Sequence, residues 1–200
     1  MRRVVGLILV CFLLSGCANI VIRHDTAQDE SHIFSMFKDI LRNERPYLNA
    51  DFEPIYFREF TREVEEGLYV RPPRRIAVFD INGDGVPEVI VEVMGCLVLV
   101  MHYYNGEVYG NVHGCRNMEI IFTDGTIFMS ANMTNSFSIG ELIINAASAD
   151  ILVAKHFDNV DGQDYHHITN ERESITWYPF TQENIQNLAA LITPRYIPSQ

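Results

Sequence analysis

The chain has no apolar segment approaching the roughly 20 residues that cross a bilayer as a helix. Its opening run, Val4 to Leu14, is too short and is interrupted by Gly6; no later segment is long enough either. Basic residues are scarce, with 15 Lys and Arg against 26 Asp and Glu, for a formal charge of −11. That balance argues against nucleic acid and against docking on anionic lipid heads, and it is compatible with binding cations. No unit of 20–50 residues recurs, and nothing is low in complexity, which excludes solenoids and repeat propellers. There is no G-x-S-x-G, H-E-x-x-H or P-loop, so no nucleophile elbow, zincin helix or phosphate cradle is written locally. A triad assembled in space leaves no such trace.

What is present starts at the N-terminus. Arg2 and Arg3 precede the Val4–Leu14 run, as in the charged and apolar regions of a signal peptide. The run ends in Leu14-Ser15-Gly16-Cys17, which resembles the lipobox of bacterial lipoproteins. The resemblance implies cleavage before Cys17, lipidation of that cysteine, and a chain tethered at the extracytoplasmic face of the cell membrane. At least two acyl chains hold such an anchor stably. An ordinary cleaved signal peptide with a chance cysteine is the alternative. Loss of residues 1–16 would leave 184 and, with two arginines gone, a formal charge of −13. Residues 17–30 then read as a tether and 31–200 as one domain, large enough to bury a core.

The domain reads as α+β. Ile33, Phe34, Met36, Phe37, Ile40 and Leu41 recur at three- and four-residue spacing, which predicts an amphipathic helix over 31–43, stopped by Pro46. Residues 47–72 predict either a second short helix or an irregular wrap. Strands are predicted at 76–79, 89–94, 97–104, 107–112, 118–123, 126–131, 137–145, 151–157 and 165–169. Asn105-Gly106 and Asp124-Gly125 mark tight hairpins between their neighbours. The pattern is an antiparallel meander of roughly seven to nine strands. A last helix starts at Thr181 as N-cap, with Phe180 and Ile185 as a hydrophobic staple. Its predicted buried stripe is Ile185, Leu188, Ala189 and Ile192, and Pro194 ends it.

The richest stretch is FDINGDGVPEVIVEV, Phe79 to Val93. Asp80, Asn82, Asp84, Val86 and Glu88 stand at positions 1, 3, 5, 7 and 9 of an oxygen-ligand loop, with Gly85 at position 6 for the sharp turn. Val86 would offer its carbonyl. A hard cation that accepts six to eight oxygens in a flexible coil suits this pattern, Ca²⁺ before Mg²⁺. An EF-hand is excluded, because position 12 is Val91 and the exit PEVIVEV is a strand. The strand–loop–strand pattern resembles the calcium loops of FG-GAP (VCBS-type) repeats, which implies those five residues as the metal ligands. It covers about fifteen residues and occurs once, so the propeller and its adhesive function do not transfer. The alternative is a metal-free Asx-rich turn. Over the longer order of lipobox, helix, FDINGDGVPE, HYYNGEVYG and WYPFTQENI, the chain is similar to uncharacterised secreted lipoproteins of Gram-positive gut bacteria. That group implies location and fold but no activity.

Other candidates are weaker. Cys96 and Cys115 are equidistant from the Asn105-Gly106 turn and would lie opposite one another, as a disulfide or as two free thiols. The count puts them at a hydrogen-bonded pair, where side chains splay unless a bulge intervenes. His102 and His113 share a face but stand about 13 Å apart along the strands, too far for one zinc. His166 and His167 point to opposite faces, and Asp158, Asp161 and Asp164 suit a polar turn. Tyr103, Tyr104 and Tyr109 form either an aromatic platform or cross-strand pairs. Trp177 and Tyr178 are expected to pack the last helix on the sheet. Asn132 to Thr134 matches a glycosylation sequon, discounted behind a bacterial lipobox. Two functions from different classes fit these residues. One is a non-enzymatic surface protein that binds an unknown envelope or extracellular ligand. The other is a hydrolase of envelope or environmental polymers with a structural calcium. A calcium-responsive switch is a third.

Overall fold

The computed structural model describes residues 26–66, 72–93, 97–114, 118–130, 136–145, 148–157 and 172–196. Helix α1 (Thr26–Leu41) is followed by two-residue strands β1 (Tyr47–Leu48) and β2 (Pro54–Ile55), then helix α2 (Phe57–Glu66). Strands β3 (Pro73–Phe79), β4 (Glu88–Val93), β5 (Leu97–Tyr104) and β6 (Glu107–Gly114) come next. They precede β7 (Ile120–Ile121), β8 (Thr126–Ser130), β9 (Phe137–Asn145) and β10 (Ser148–Phe157). Strand β11 (Tyr178–Pro179), helix α3 (Gln182–Gln186) and a 3-10 turn (Leu188–Leu191) close the fold. The class is α+β, as the sequence implies.

The single meander divides into two sheets. One has seven strands in the order β11-β3-β4-β5-β6-β1-β2; the other has four in the order β10-β9-β8-β7. Among the described strands pairing is antiparallel except at Leu48↔Tyr109, where β1 meets β6 in parallel, and an isolated parallel bridge joins Val78 to Ile192. The division follows from the apolar content of β3, β4 and β5. Ile76, Val78, Val89, Val91, Leu99 and Met101 face the helices, in a core shared with Phe37 and Ile40 of α1 and Leu188 of the 3-10 turn. Ala77, Phe79, Ile90, Val98 and Val100 face the opposite way, against Ile127, Met129 and Leu142 of the second sheet. A strand apolar on both faces must be covered on both. The result is three layers: helices, large sheet, small sheet.

Local signals set the elements. All six predicted apolar residues of α1 are buried. The helix begins at Thr26, earlier than the apolar periodicity shows, because its first turn is polar. It ends before Pro46: Asn43 takes a left-handed φ of 62°, and its N–H bonds the Ile40 carbonyl at 2.9 Å. The β5–β6 register runs from Tyr104↔Glu107 to Leu97↔Gly114 around Asn105 (φ 49°) and Gly106 (φ 91°). Those angles suit the two-residue hairpin that the Asn-Gly pair predicts. In the C-terminal helix, Thr181 Oγ1 accepts the Asn184 N–H at 3.2 Å, as a cap should. The buried residues there are Ile185, Leu188 and Leu191, while Ile192 is 40% exposed and Ala189 is exposed. The stripe shifts from the predicted one because the helix tightens to 3-10 after Gln186, where the period is three. Tyr178 packs with the helix-side core, but Trp177 packs with the small-sheet core, as alternation along a strand requires.

Two outcomes are expected of this packing. A Cβ at Gly110 would lie 2.5 Å from Cδ2 of the buried Tyr47 ring and 3.2 Å from Leu99 Cδ1. Gly110→Ala should therefore lose about 1–3 kcal/mol, read as a lower urea midpoint with unchanged slope. On β6, burial pushes the His113 imidazole below its ordinary pKa, against the opposing pull of the Asp150 carboxylate and a hydrogen bond to the Ala149 backbone. The unfolded chain then takes up the proton first as pH falls below about 6.5. Urea midpoints should drop from pH 7.5 towards pH 5.5, and His113→Gln should flatten that part of the profile.

Candidate metal centre

The Phe79↔Glu88 pair closes the β3–β4 hairpin, so residues 80–87 form the loop. Its polar side chains fold back on its own backbone. The Asp80 carboxylate accepts the Gly83 N–H at 2.7 Å and the Gly85 N–H at 3.0 Å. Asn82 Oδ1 accepts from Asp84 N at 3.0 Å, and Asp84 Oδ1 accepts from Val86 N at 2.8 Å. Gly83 and Gly85 both hold positive φ, 77° and 89°, which lets the coil turn without a Cβ penalty. Asp80, Asn82 and Asp84 are each thereby oriented by a backbone donor ahead of them in the chain.

Glu88 sits at the mouth of β4 with 2% exposure. Its Oε2 accepts the Ile81 N–H at 2.8 Å. Burial drives its carboxyl well above the ordinary range, and the nearby Asp84 and Asp80 carboxylates add to the rise, while the Ile81 bond works against it. Glu92 lies four residues on, on the same face of the same strand, and is also buried at 7%. It is treated differently. Arg75, its cross-strand partner, donates from Nε to Glu92 Oε2 at 2.6 Å and pairs with it again through Nη2. The Arg75 guanidinium also lies 4.4 Å from the Trp177 ring. Among the described residues, no basic side chain forms an ion pair with Glu88.

Of the five sequence-derived ligands, Glu88 is buried, Asp80, Asn82 and Val86 are half-buried, and Asp84 is exposed. Among the described residues, no group of three His, Cys, Asp or Glu side chains is gathered in a geometry that could hold a metal ion. The carboxylates are satisfied by loop N–H groups, and Asn82 Nδ2 donates to Asp84 Oδ2 at 2.9 Å. The donor set nonetheless suits a hard cation. Each carboxylate oxygen bonded to one N–H retains a lone pair, which is the chemistry a hard cation takes.

Sequence reasoning missed Arg195. Its Nη1 donates to the carbonyls of Asp80 at 3.0 Å and Ile81 at 2.8 Å, and its Nη2 to the Asp124 carbonyl at 3.2 Å. An arginine 115 residues from the loop leaves no local signal there. The remaining candidates do not converge. His102 stacks on Tyr109 and His113 opposes Val98, as the hairpin count predicts. Tyr109 is buried, Tyr103 packs on the helix-side core and Tyr104 is exposed, so the three tyrosines are not one platform. Two cavities of about 260 and 220 Å³ adjoin Asp124; neither is lined by Ser or His. Cys17, Cys96, Cys115, Asn132, Asp158, Asp161, Asp164, His166, His167 and the strand predicted at 165–169 lie outside the described residues. Among those described, no helix is long and apolar enough to cross a membrane. Comparison with protein-family models, with curated proteins and with solved structures finds no match to the chain.

The contrast between the two glutamates has a direct consequence. Arg75→Gln would leave the buried Glu92 carboxylate only the 4.0 Å contact with the exposed Arg74, so it should destabilise by about 1–3 kcal/mol. Arg75→Gln combined with Glu92→Gln should recover part of that loss in chemical denaturation.

Proposed function

We propose that the loop from Asp80 to Glu88 is a structural calcium site in a lipid-anchored, extracytoplasmic binding protein. One observation carries the metal reading: Glu88 is a buried carboxylate beside two further carboxylates, with no described cation paired to it. Its counterpart Glu92 has Arg75. Asp80, Asn82, Asp84 and Glu88 side-chain oxygens and the Val86 carbonyl would hold the ion, with water completing the shell. The ion supplies positive charge where three acids crowd one turn. The chain supplies the coil, the glycine turns and the closing pair Phe79↔Glu88 that joins β3 to β4. An affinity on the order of 10⁻⁴–10⁻³ M is expected of such extracellular sites.

Calorimetry and thermal melts test this reading. Calcium at 10 mM should give binding heat and raise the melting temperature, by about 2.7 kcal/mol of stability if the concentration is one hundred times Kd. Absence of both effects refutes the site. Glu88→Gln removes a carboxyl whose ionised form burial disfavours, so the ion-free protein should be at least as stable as wild type and its response to calcium should vanish.

The anchor is supported by Cys17 in its Leu-Ser-Gly-Cys context behind Arg2, Arg3 and the apolar run. The full-length chain expressed in a bacterium should partition into the detergent phase of Triton X-114. Cys17→Ser should move it to the aqueous phase. The anchored domain is read as binding an envelope or extracellular ligand, with hydrolysis of envelope or environmental polymers around a structural calcium as the alternative.

A further inference from the structure

We propose that Arg195 is the positioning residue of the loop, and that through it cation binding is coupled to the docking of the C-terminal segment across both sheets. This rests on the calcium reading above and concerns how that site is held.

The guanidinium occupies a slot built for it. On one side are the carbonyls of Asp80 and Ile81, at the start of the loop; on the other is the carbonyl of Asp124, in the β7–β8 turn of the small sheet. Two glycines make the room. A Cβ at Gly83 would stand 2.7 Å from Nη1, and one at Gly125 would stand 2.8 Å from Nη2 and 2.6 Å from the Ile81 carbonyl. Both have positive φ, 77° and 89°, and they come from different turns in different sheets. The Arg195 side chain retains 28% exposure, and Nη1 is 4.0 Å from Asp80 Oδ1. The arginine therefore grips the loop backbone by hydrogen bonds and pairs only at long range with the Asp80 carboxylate, whose hydrogen bonds come from the Gly83 and Gly85 N–H groups.

The segment that carries Arg195 is fixed at both ends. The Thr193 N–H donates to the Val78 carbonyl at 2.9 Å, and the Tyr196 N–H donates to the Thr123 carbonyl at 2.8 Å. Thr193 Oγ1 accepts the Thr176 N–H at 3.1 Å. Val78 belongs to β3 and Thr123 adjoins β7, so the segment straps the large sheet to the small one beside the loop. A planar fork spans three carbonyls from two turns; an ammonium on a flexible stem does not. Any free energy that the strap gives to the cation-binding form of the loop must be returned by the cation to the strap.

The test uses the full-length protein in detergent micelles with CaCl₂ as the probe. Arg195→Lys keeps the charge and removes the fork, so electrostatics are held constant. Its calcium Kd should rise about tenfold by calorimetry. In wild type, calcium should slow amide exchange at Thr193 and Tyr196 by more than it slows exchange in α1. A variant that only melts earlier and binds calcium with the wild-type Kd overturns the positioning role. Exchange at Thr193 and Tyr196 that is no slower with calcium than without overturns the coupling, and wild type decides that point even if the variant does not fold. Wild type that binds no calcium refutes the preceding reading and this one with it; the other two results refute only this one.

Discussion

Strand β4 is buried on both faces, and the rest of the architecture answers to that constraint. All six of its residues, Glu88 to Val93, are removed from solvent. A strand in that position needs a layer on each side, which the helices and the small sheet provide. It also tolerates charge only where something neutralises it. Two of its six residues are glutamates, one at the mouth of the strand and one near the far end. Each draws a different local construction around itself.

At Glu92 the answer is covalently part of the chain. Arg75 stands opposite on β3, pairs with the carboxylate, and covers the Trp177 ring with the rest of its guanidinium plane. At Glu88 the described chain offers a single backbone N–H, from Ile81, and two more carboxylates in the vicinity. That asymmetry within one strand is the physical basis for assigning a mobile cation to the loop. Exposed acid clusters are common and inexpensive in water; a buried carboxylate beside such a cluster is not.

The loop is also less isolated than a surface turn. Arg195 and the strap from Thr193 to Tyr196 join it to the β7–β8 turn, so the loop lies at a junction of both sheets and the C-terminus. The junction depends on the absence of side chains at Gly83 and Gly125 as much as on the presence of Arg195. In this arrangement an ion held by the loop, as proposed, would stiffen more than one hairpin. A tethered extracytoplasmic domain would meet calcium in its surroundings, and the same junction would then be the place where that ion affects the fold.

Short-range chemistry was legible in the sequence. The apolar face of α1, the Asn105-Gly106 hairpin with its register, the Thr181 cap and the order of oxygen-bearing residues from Asp80 to Glu88 each arise from residues a few positions apart. Their geometry is fixed by helix period, strand alternation or turn stereochemistry. Tertiary packing decided the rest: the division of one apparent meander into two sheets, the shift of the last buried stripe to Leu191, the opposite faces of Trp177 and Tyr178, the different fates of Glu88 and Glu92, and the reach of Arg195 to the loop. Those features depend on which surfaces meet, from 17 residues apart for Arg75 and Glu92 to 115 for Arg195 and Asp80. Local periodicity records that a residue wants burial or a partner. It carries no information on which distant element supplies it.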